Sequence, residues 1–210
     1  MKKTKRNERG FSLIETVIVI GMMLTVAGIA MYQSFGSMES YTANSALDVV
    51  AGQLRVARQV AISQRRPVQV TITPISADHG LSTVSYTTVV GGAGLSASNV
   101  GGVSPSNTVP LPRETKLMLE AGVPDTPMSF GLCGPVCIGN VNGGPPTMYF
   151  SPTGQFSQDP AGVTPLNGTI FIGLPNQLGT ARAVTIMGST GRVRPYTYIP
   201  DTASTGHWTE

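Results

Sequence analysis

The chain is predicted to be an α+β protein in which one long amino-terminal helix precedes an antiparallel β domain. Three observations carry the prediction. A basic cluster (Lys2, Lys3, Lys5, Arg6, Arg9) is followed by a 21-residue run, Phe11 to Met31, whose single charge is Glu15. Apolar residues then recur at spacings of three and four through Leu47, Val50, Leu54, Ala57 and Ala61. Beyond Pro67 the period changes to two, starting with Val68-Gln69-Val70-Thr71-Ile72-Thr73. The first spacing draws one apolar stripe along a helix, and the second separates the two faces of a strand.

At about 1.5 Å per residue, the Phe11–Met31 run reaches across roughly 30 Å of hydrocarbon. The basic cluster holds its own end in the cytoplasm, so the rest is exported. A secretory signal would carry a shorter apolar core with a small-residue cleavage site after it. Here the small residue, Gly10, stands before the core. This arrangement resembles a type IV prepilin leader. The resemblance implies that a membrane-embedded prepilin peptidase cuts after Gly10 and methylates the new amino terminus at Phe11. It also implies that Glu15, fifth in the processed chain, meets the free amino group of a neighbouring subunit during filament assembly. The competing reading is a plain membrane anchor with an incidental glutamate, although an unpaired carboxylate at that depth costs several kcal/mol. Many pilins kink this segment at a proline, and none lies between Phe11 and Gln64. Gly21, Gly28 and Gly36 are the remaining places for bending.

The stripe from Leu47 to Ala61 faces away from Asp48, Gly52, Arg55, Gln59 and Ser63, so an amphipathic stem should extend the membrane segment and pack on the domain. Pro67 disfavours helical geometry at Arg66 and places the end between Gln64 and Arg66. The expected division is a leader, 1–10; a helix, 11–66, with 11–31 in the membrane and 32–66 as stem; and a periplasmic β-rich domain, 67–210. A helix from Phe11 to Gln64 would be roughly 80 Å long.

Strands are expected at 68–73, Leu81–Val90, Thr115–Leu119, Thr147–Phe150, Thr169–Gly173 and Ala183–Met187, with a turn at Pro152-Thr153-Gly154. Gly91–Pro110 is rich in Gly, Ser and Asn and reads as a long loop. The pairs Ala57-Arg58 and Ala61-Ile62, the run Tyr149-Phe150-Ser151-Pro152-Thr153-Gly154, and Gly191-Arg192-Val193-Arg194 resemble pseudopilin H of type II secretion and the FimT-like minor pilins. The Gly-rich and Cys-containing loops lie outside that resemblance.

The overall charge of +3 belongs to the leader. Removing its five basic residues and one acid from 14 and 11 leaves 9 and 10, a formal charge of −1. Any grip on nucleic acid would therefore need a local patch. Cys133 and Cys137, separated by Gly134-Pro135-Val136, are expected to form a disulfide in an exported domain, with reduced buried thiols as the alternative. His79 and His207 have no ligand spacing, so neither metal nor cofactor is expected. No nucleophile elbow occurs, and no enzymatic role is expected. Gly92-Ala93-Gly94-Leu95-Ser96-Ala97 mimics a dinucleotide fingerprint, but Ser98-Asn99-Val100-Gly101-Gly102 will not make the helix it requires.

Arg192 and Arg194 stand two apart, so on a strand both guanidinium forks point one way, which suits phosphate oxygens. In FimT-like minor pilins a Gly-Arg-x-Arg element is implicated in DNA binding, and the chain matches it at Gly191, Arg192 and Arg194. Tyr196 and Tyr198 continue the alternation, either to stack on bases or to pack across strands. The bland reading is a solvated edge, or ion pairs to Glu114, Glu120 or Asp201. Arg55, Arg58, Arg65 and Arg66 form a second basic concentration, read as a solvated helix face or a contact to neighbouring subunits. Trp208 is expected to pin the tail to the domain.

The reading favoured by these features is a minor pseudopilin of type II secretion, near the tip of a short filament. The alternatives are a FimT-like minor pilin that binds DNA for transformation, and a minor pilin that primes pilus assembly. The expected partners are prepilin peptidase, other pilin or pseudopilin subunits and inner-membrane lipid before assembly, with DNA under the first alternative.

Overall fold

The computed structural model describes residues 12–73, 82–88, 107–112, 114–145, 147–201 and 206–210. Helix α1 spans Leu13–Gln64, and the strands that follow pair antiparallel throughout. The architecture is therefore α+β, an apolar amino-terminal helix followed by antiparallel sheets, consistent with a pilin-like fold. The chain divides after Met38 into two units.

In the first unit, Leu13–Met31 is long and apolar enough to cross a membrane. Its side chains are exposed from Ser12 to Met31, so nothing in this unit covers them. Such a surface needs lipid or other helices around it.

In the second unit the stem stripe is buried as its spacing requires: Leu47, Val50, Leu54, Ala57 and Ala61 are at most 7% exposed. The helix stops at a Schellman motif. Arg65 adopts φ 51°, its N–H donates to the Ile62 carbonyl (3.3 Å), and the Arg66 N–H donates to the Ala61 carbonyl (3.2 Å). Pro67 then prevents continuation.

Two sheets meet this stem. The first runs in the order β3 (Asn107–Pro110), β2 (Thr83–Thr88), β1 (Val68–Thr73), β7 (Met148–Phe150), β8 (Phe156–Ser157). The second runs β12 (His207–Thr209), β11 (Arg192–Ile199), β10 (Arg182–Met187), β9 (Gly168–Gly173), β5 (Val136–Ile138), β6 (Val141–Asn142), with β4 (Lys116–Leu117) also on β9. One core joins the stem to Val68, Val70 and Ile72 of β1, Phe150 and Phe156 of β7 and β8, and Ile170, Ile172, Val184, Ile186 and Val193 of the second sheet.

The second sheet is covered on its other face as well. Phe171, Ala183, Tyr196 and Tyr198 pack there under Val123, Met128 and Trp208. Both faces being covered explains why β9 and β10 read as nearly continuous apolar runs rather than alternating ones.

Differences from the expected elements are local. Gly91–Pro110 is not loop to its end, because Asn107–Pro110 pairs with β2. The first part of that loop and the Gly92–Ala97 stretch lie outside the described residues, as do Leu81, Val89 and Val90. Thr115–Leu119 contracts to two paired residues, β5, β6, β8 and β12 add strands that were not anticipated, and β11 takes in the Arg192–Tyr198 alternation read as a strand's.

Candidate functional site

Gly10 and Phe11 lie outside the described residues. Just beyond them Ser12 stands at the helix amino terminus. Its carbonyl accepts the N–H groups of Glu15 (3.0 Å) and Thr16 (3.2 Å) and the Thr16 hydroxyl (3.1 Å). Ser12-x-x-Glu15 has the spacing of a capping box, and an acid in the first turn complements the positive end of the helix dipole. Glu15 itself is exposed. Burying a carboxylate among apolar groups is costly unless a cation pairs with it.

A second constellation forms where the stem meets two turns. The Arg58 Nε donates to the Gly154 carbonyl at 3.1 Å. Gly191 has φ 61°, and a Cβ there would collide with the Gly154 carbonyl and lie 3.0 Å from the Arg58 Nε. Gly154 has φ 85°, and a Cβ on it would come within 2.8 Å of Ile62. Three segments far apart in sequence thus close on one another because two of them lack a β-carbon. They are the three segments on which the subgroup resemblance rests. Arg58 is accordingly half-buried and bonded rather than part of a solvated face.

The neighbouring strand, β11, carries Arg192 and Arg194. Arg192 is exposed. The Arg194 Nε lies 3.2 Å from the Glu210 Oε1, so the acid beside it is one the sequence did not suggest. Glu120, proposed for that part, instead accepts the Asn176 N–H at 2.9 Å. A hydrogen bond with the Tyr196 phenol, followed by the Glu210 charge, holds the Arg194 pKa above its ordinary value. Tyr196 and Tyr198 are 4% and 3% exposed, so they pack across strands and do not offer rings to bases. Arg55 reaches to 3.5 Å of the Val193 carbonyl, which brings the two basic concentrations together at one place.

Along Arg192–Tyr196, β11 pairs with β10 on one side, while β12 covers only Thr197–Ile199 on the other. Pro195, without an N–H, stands in this stretch, which no other strand pairs among the described residues, and prolines and charges are common guards of such edges.

Cys133 and Cys137 are joined, with their Cα atoms 5.2 Å apart. The link ties the 118–135 segment to β5 over the outer face of the second sheet. Trp208 holds the same segment, donating from Nε1 to the Pro124 carbonyl at 3.0 Å and packing 5.3 Å from Tyr198 and 6.2 Å from Phe171. A polar cleft of about 280 Å³ opens between Ser129, Phe130, Gly139, Asn140, Pro165, Leu166 and Asn167. Its lining holds no carboxylate, imidazole or amine to act on the Ser129 hydroxyl. His207 is exposed on β12, and His79 lies outside the described residues.

The first residues of the chain find a match among known families. Residues 5–31 match the prokaryotic N-terminal methylation motif, which supports the pilin family. The motif implies processing by prepilin peptidase and assembly with other pilins, and pilin-like proteins that carry it are structural subunits. With the exposed apolar helix, it indicates a membrane-anchored protein. The match ends at Met31 and does not bear on the subgroup to which the β domain belongs. No curated protein and no solved structure matches the chain.

Proposed function

We propose that this protein is a minor pseudopilin of a type II secretion system, cut after Gly10, methylated at Phe11 and placed at or near the tip of a short filament. Before assembly it sits in the inner membrane with its amino terminus in the cytoplasm and the β domain in the periplasm. In the filament, Glu15 meets the amino group of a neighbouring subunit, and the apolar face from Leu13 to Met31 exchanges lipid for other helices. The observation that carries this reading is the junction of Arg58, Gly154 and Gly191. It ties the stem to two turns of the domain within the second unit, so the stem carries the displayed β surface with it.

The test is a chromosomal deletion complemented with the wild type or with Glu15→Val, scoring secreted proteins in the medium and transformation frequency. The pseudopilin reading predicts loss of secretion in the deletion and with Glu15→Val, while transformation stays at the wild-type level. Intact secretion with lost transformation would replace it with the second reading, a minor pilin that binds DNA. That reading is favoured by one observation, the meeting of Arg55 with the strand that bears Arg192 and Arg194. Loss of surface pili with both other activities intact would indicate a subunit that primes pilus assembly.

A further inference from the structure

The polar cleft of about 280 Å³ lies between the turn of the β5–β6 hairpin, the cover segment and the residues that enter β9. Its walls are fixed to one another. The Cys133–Cys137 bond ties the chain that carries Ser129 and Phe130 to β5, which leads into Gly139-Asn140. The Gly139 N–H donates to the Asn167 carbonyl at 2.8 Å, and the Asn167 Oδ1 accepts the Gly188 N–H at 2.8 Å. Neither bond engages the N–H donors of the Asn167 carboxamide.

Two side chains of the lining stand where the backbone would favour none. Ser129 has φ 52° and Asn140 has φ 62°, the left-handed region that glycine adopts without penalty. Asn140 also takes the second central position of its hairpin turn, which turns of this type give by preference to glycine. Local geometry therefore asks for neither side chain, and both are exposed at the same cleft. Side chains kept at such backbone positions, twice in one place, point to a use for them.

Among the described residues, none that lines the cleft is charged. A phosphate, carboxylate or amine would find no opposite charge there to offset its desolvation. An apolar ligand would bury carboxamides and a hydroxyl without partners. A neutral ligand dense in hydroxyls meets neither difficulty. Each sugar hydroxyl both donates and accepts, as do the Ser129 hydroxyl and the carboxamides of Asn140 and Asn167. Phe130, Pro165 and Leu166 supply apolar surface for the C–H face of a sugar ring. The volume is at the small end of ligand sites, which run roughly 300–1,000 Å³, and has room for about one or two rings. We infer that this cleft is a binding site for an uncharged saccharide, with Ser129, Asn140 and Asn167 bonding its hydroxyls. The site shares no residue with the junction of Arg58, Gly154 and Gly191, and it holds whichever filament role the protein serves.

The test is a ligand-observed NMR titration of maltose and of N,N′-diacetylchitobiose with the full chain, held in a polyoxyethylene detergent whose headgroup is not a sugar. Digalacturonate, an acidic disaccharide, is the charged comparison. Saturable binding of at least one neutral disaccharide is expected, at the roughly millimolar affinity that a small open site supports. Ser129→Gly and Asn140→Gly should each weaken it about fivefold, the share of one hydrogen bond. Thermal unfolding should find both variants at least as stable as the wild type, since glycine suits both positions. No saturable binding of either neutral sugar would overturn the inference, and so would binding that both variants leave unchanged. A loss of stability in both variants would make the two side chains structural and overturn it as well. Digalacturonate bound as tightly as the neutral sugars would overturn the assignment to an uncharged ligand.

Discussion

Arg65 ends the helix in a left-handed conformation that glycine adopts without a side-chain penalty. Arg65→Gly should therefore be more stable than Arg65→Ala by about 1 kcal/mol in chemical denaturation, since the β-carbon cost in this region is of that order. Equal stabilities would mean that the Schellman geometry does not hold in solution. Gly191 makes a stronger case, because a β-carbon there is both conformationally strained and directed into the Gly154 carbonyl. Gly191→Ala should lose about 2 kcal/mol or more, a range reached only through a small set of mechanisms that includes backbone strain. A loss below about 0.5 kcal/mol would show that the junction relaxes. Sequence reasoning found all three partners of this junction as motif fragments but not their meeting. Arg58 shares an azimuth with Arg65, so periodicity alone assigns it to solvent. What removes it from solvent is two missing β-carbons nearly a hundred and more residues away, and spacing along a chain carries no such distance.

At the scale of elements, the stem and the alternating strand β1 were legible because burial is one-sided there and leaves a clean period. The hairpin of β5 and β6 was not anticipated, although Gly139-Asn140 between Cys137-Ile138 and Val141 carries a signal for it. Both turn residues have positive φ, at 61° and 62°, as a type I′ turn requires. The cysteines drew attention to loop chemistry and away from the strand that one of them occupies. The cover over the second sheet was also illegible, since irregular chain from 118 to 135 has no period to reveal what it packs on. If the disulfide is what holds that cover, Cys133→Ser/Cys137→Ser should lose about 2 kcal/mol, the loop-entropy value for a five-residue closure. A mass unchanged by reductant and alkylation-ready thiols in the native protein would contradict the bond. Asp159 organises a third loop by accepting the N–H groups of Ala161 (3.1 Å), Val163 (3.0 Å) and Thr164 (2.7 Å). Burial pushes its carboxyl pKa up, but the bonds from Val163, Thr164 and Ala161 outweigh that and leave it below the ordinary value. A depressed folded pKa contributes stability above the unfolded value of about 3.9 and loses it as the pH falls through the folded value. The stability advantage of the wild type over Asp159→Asn should thus persist from pH 7 to about pH 4 and shrink below. An advantage that grows on acidification would contradict this.

For the whole molecule, the apolar helix and the β domain meet different demands. The second unit buries a shared core between the stem and two sheets and a smaller one under the outer cover. The first unit leaves Leu13–Met31 exposed, a surface completed only by a membrane or by other helices. A leader that ends in a small residue before the apolar run, rather than after it, keeps that helix on the processed chain. The methylation motif over residues 5–31 was legible from the sequence because it depends only on the order of charge, glycine and apolar residues. The most direct test of the account is mass spectrometry of the amino-terminal peptide from protein made with prepilin peptidase present. The account predicts a chain that begins at Phe11 with one added methyl group on its amino nitrogen, and an uncut, unmethylated chain when the peptidase is absent. A chain that retains Lys2–Gly10 in the presence of the peptidase, or one cut beyond Met31, would contradict it.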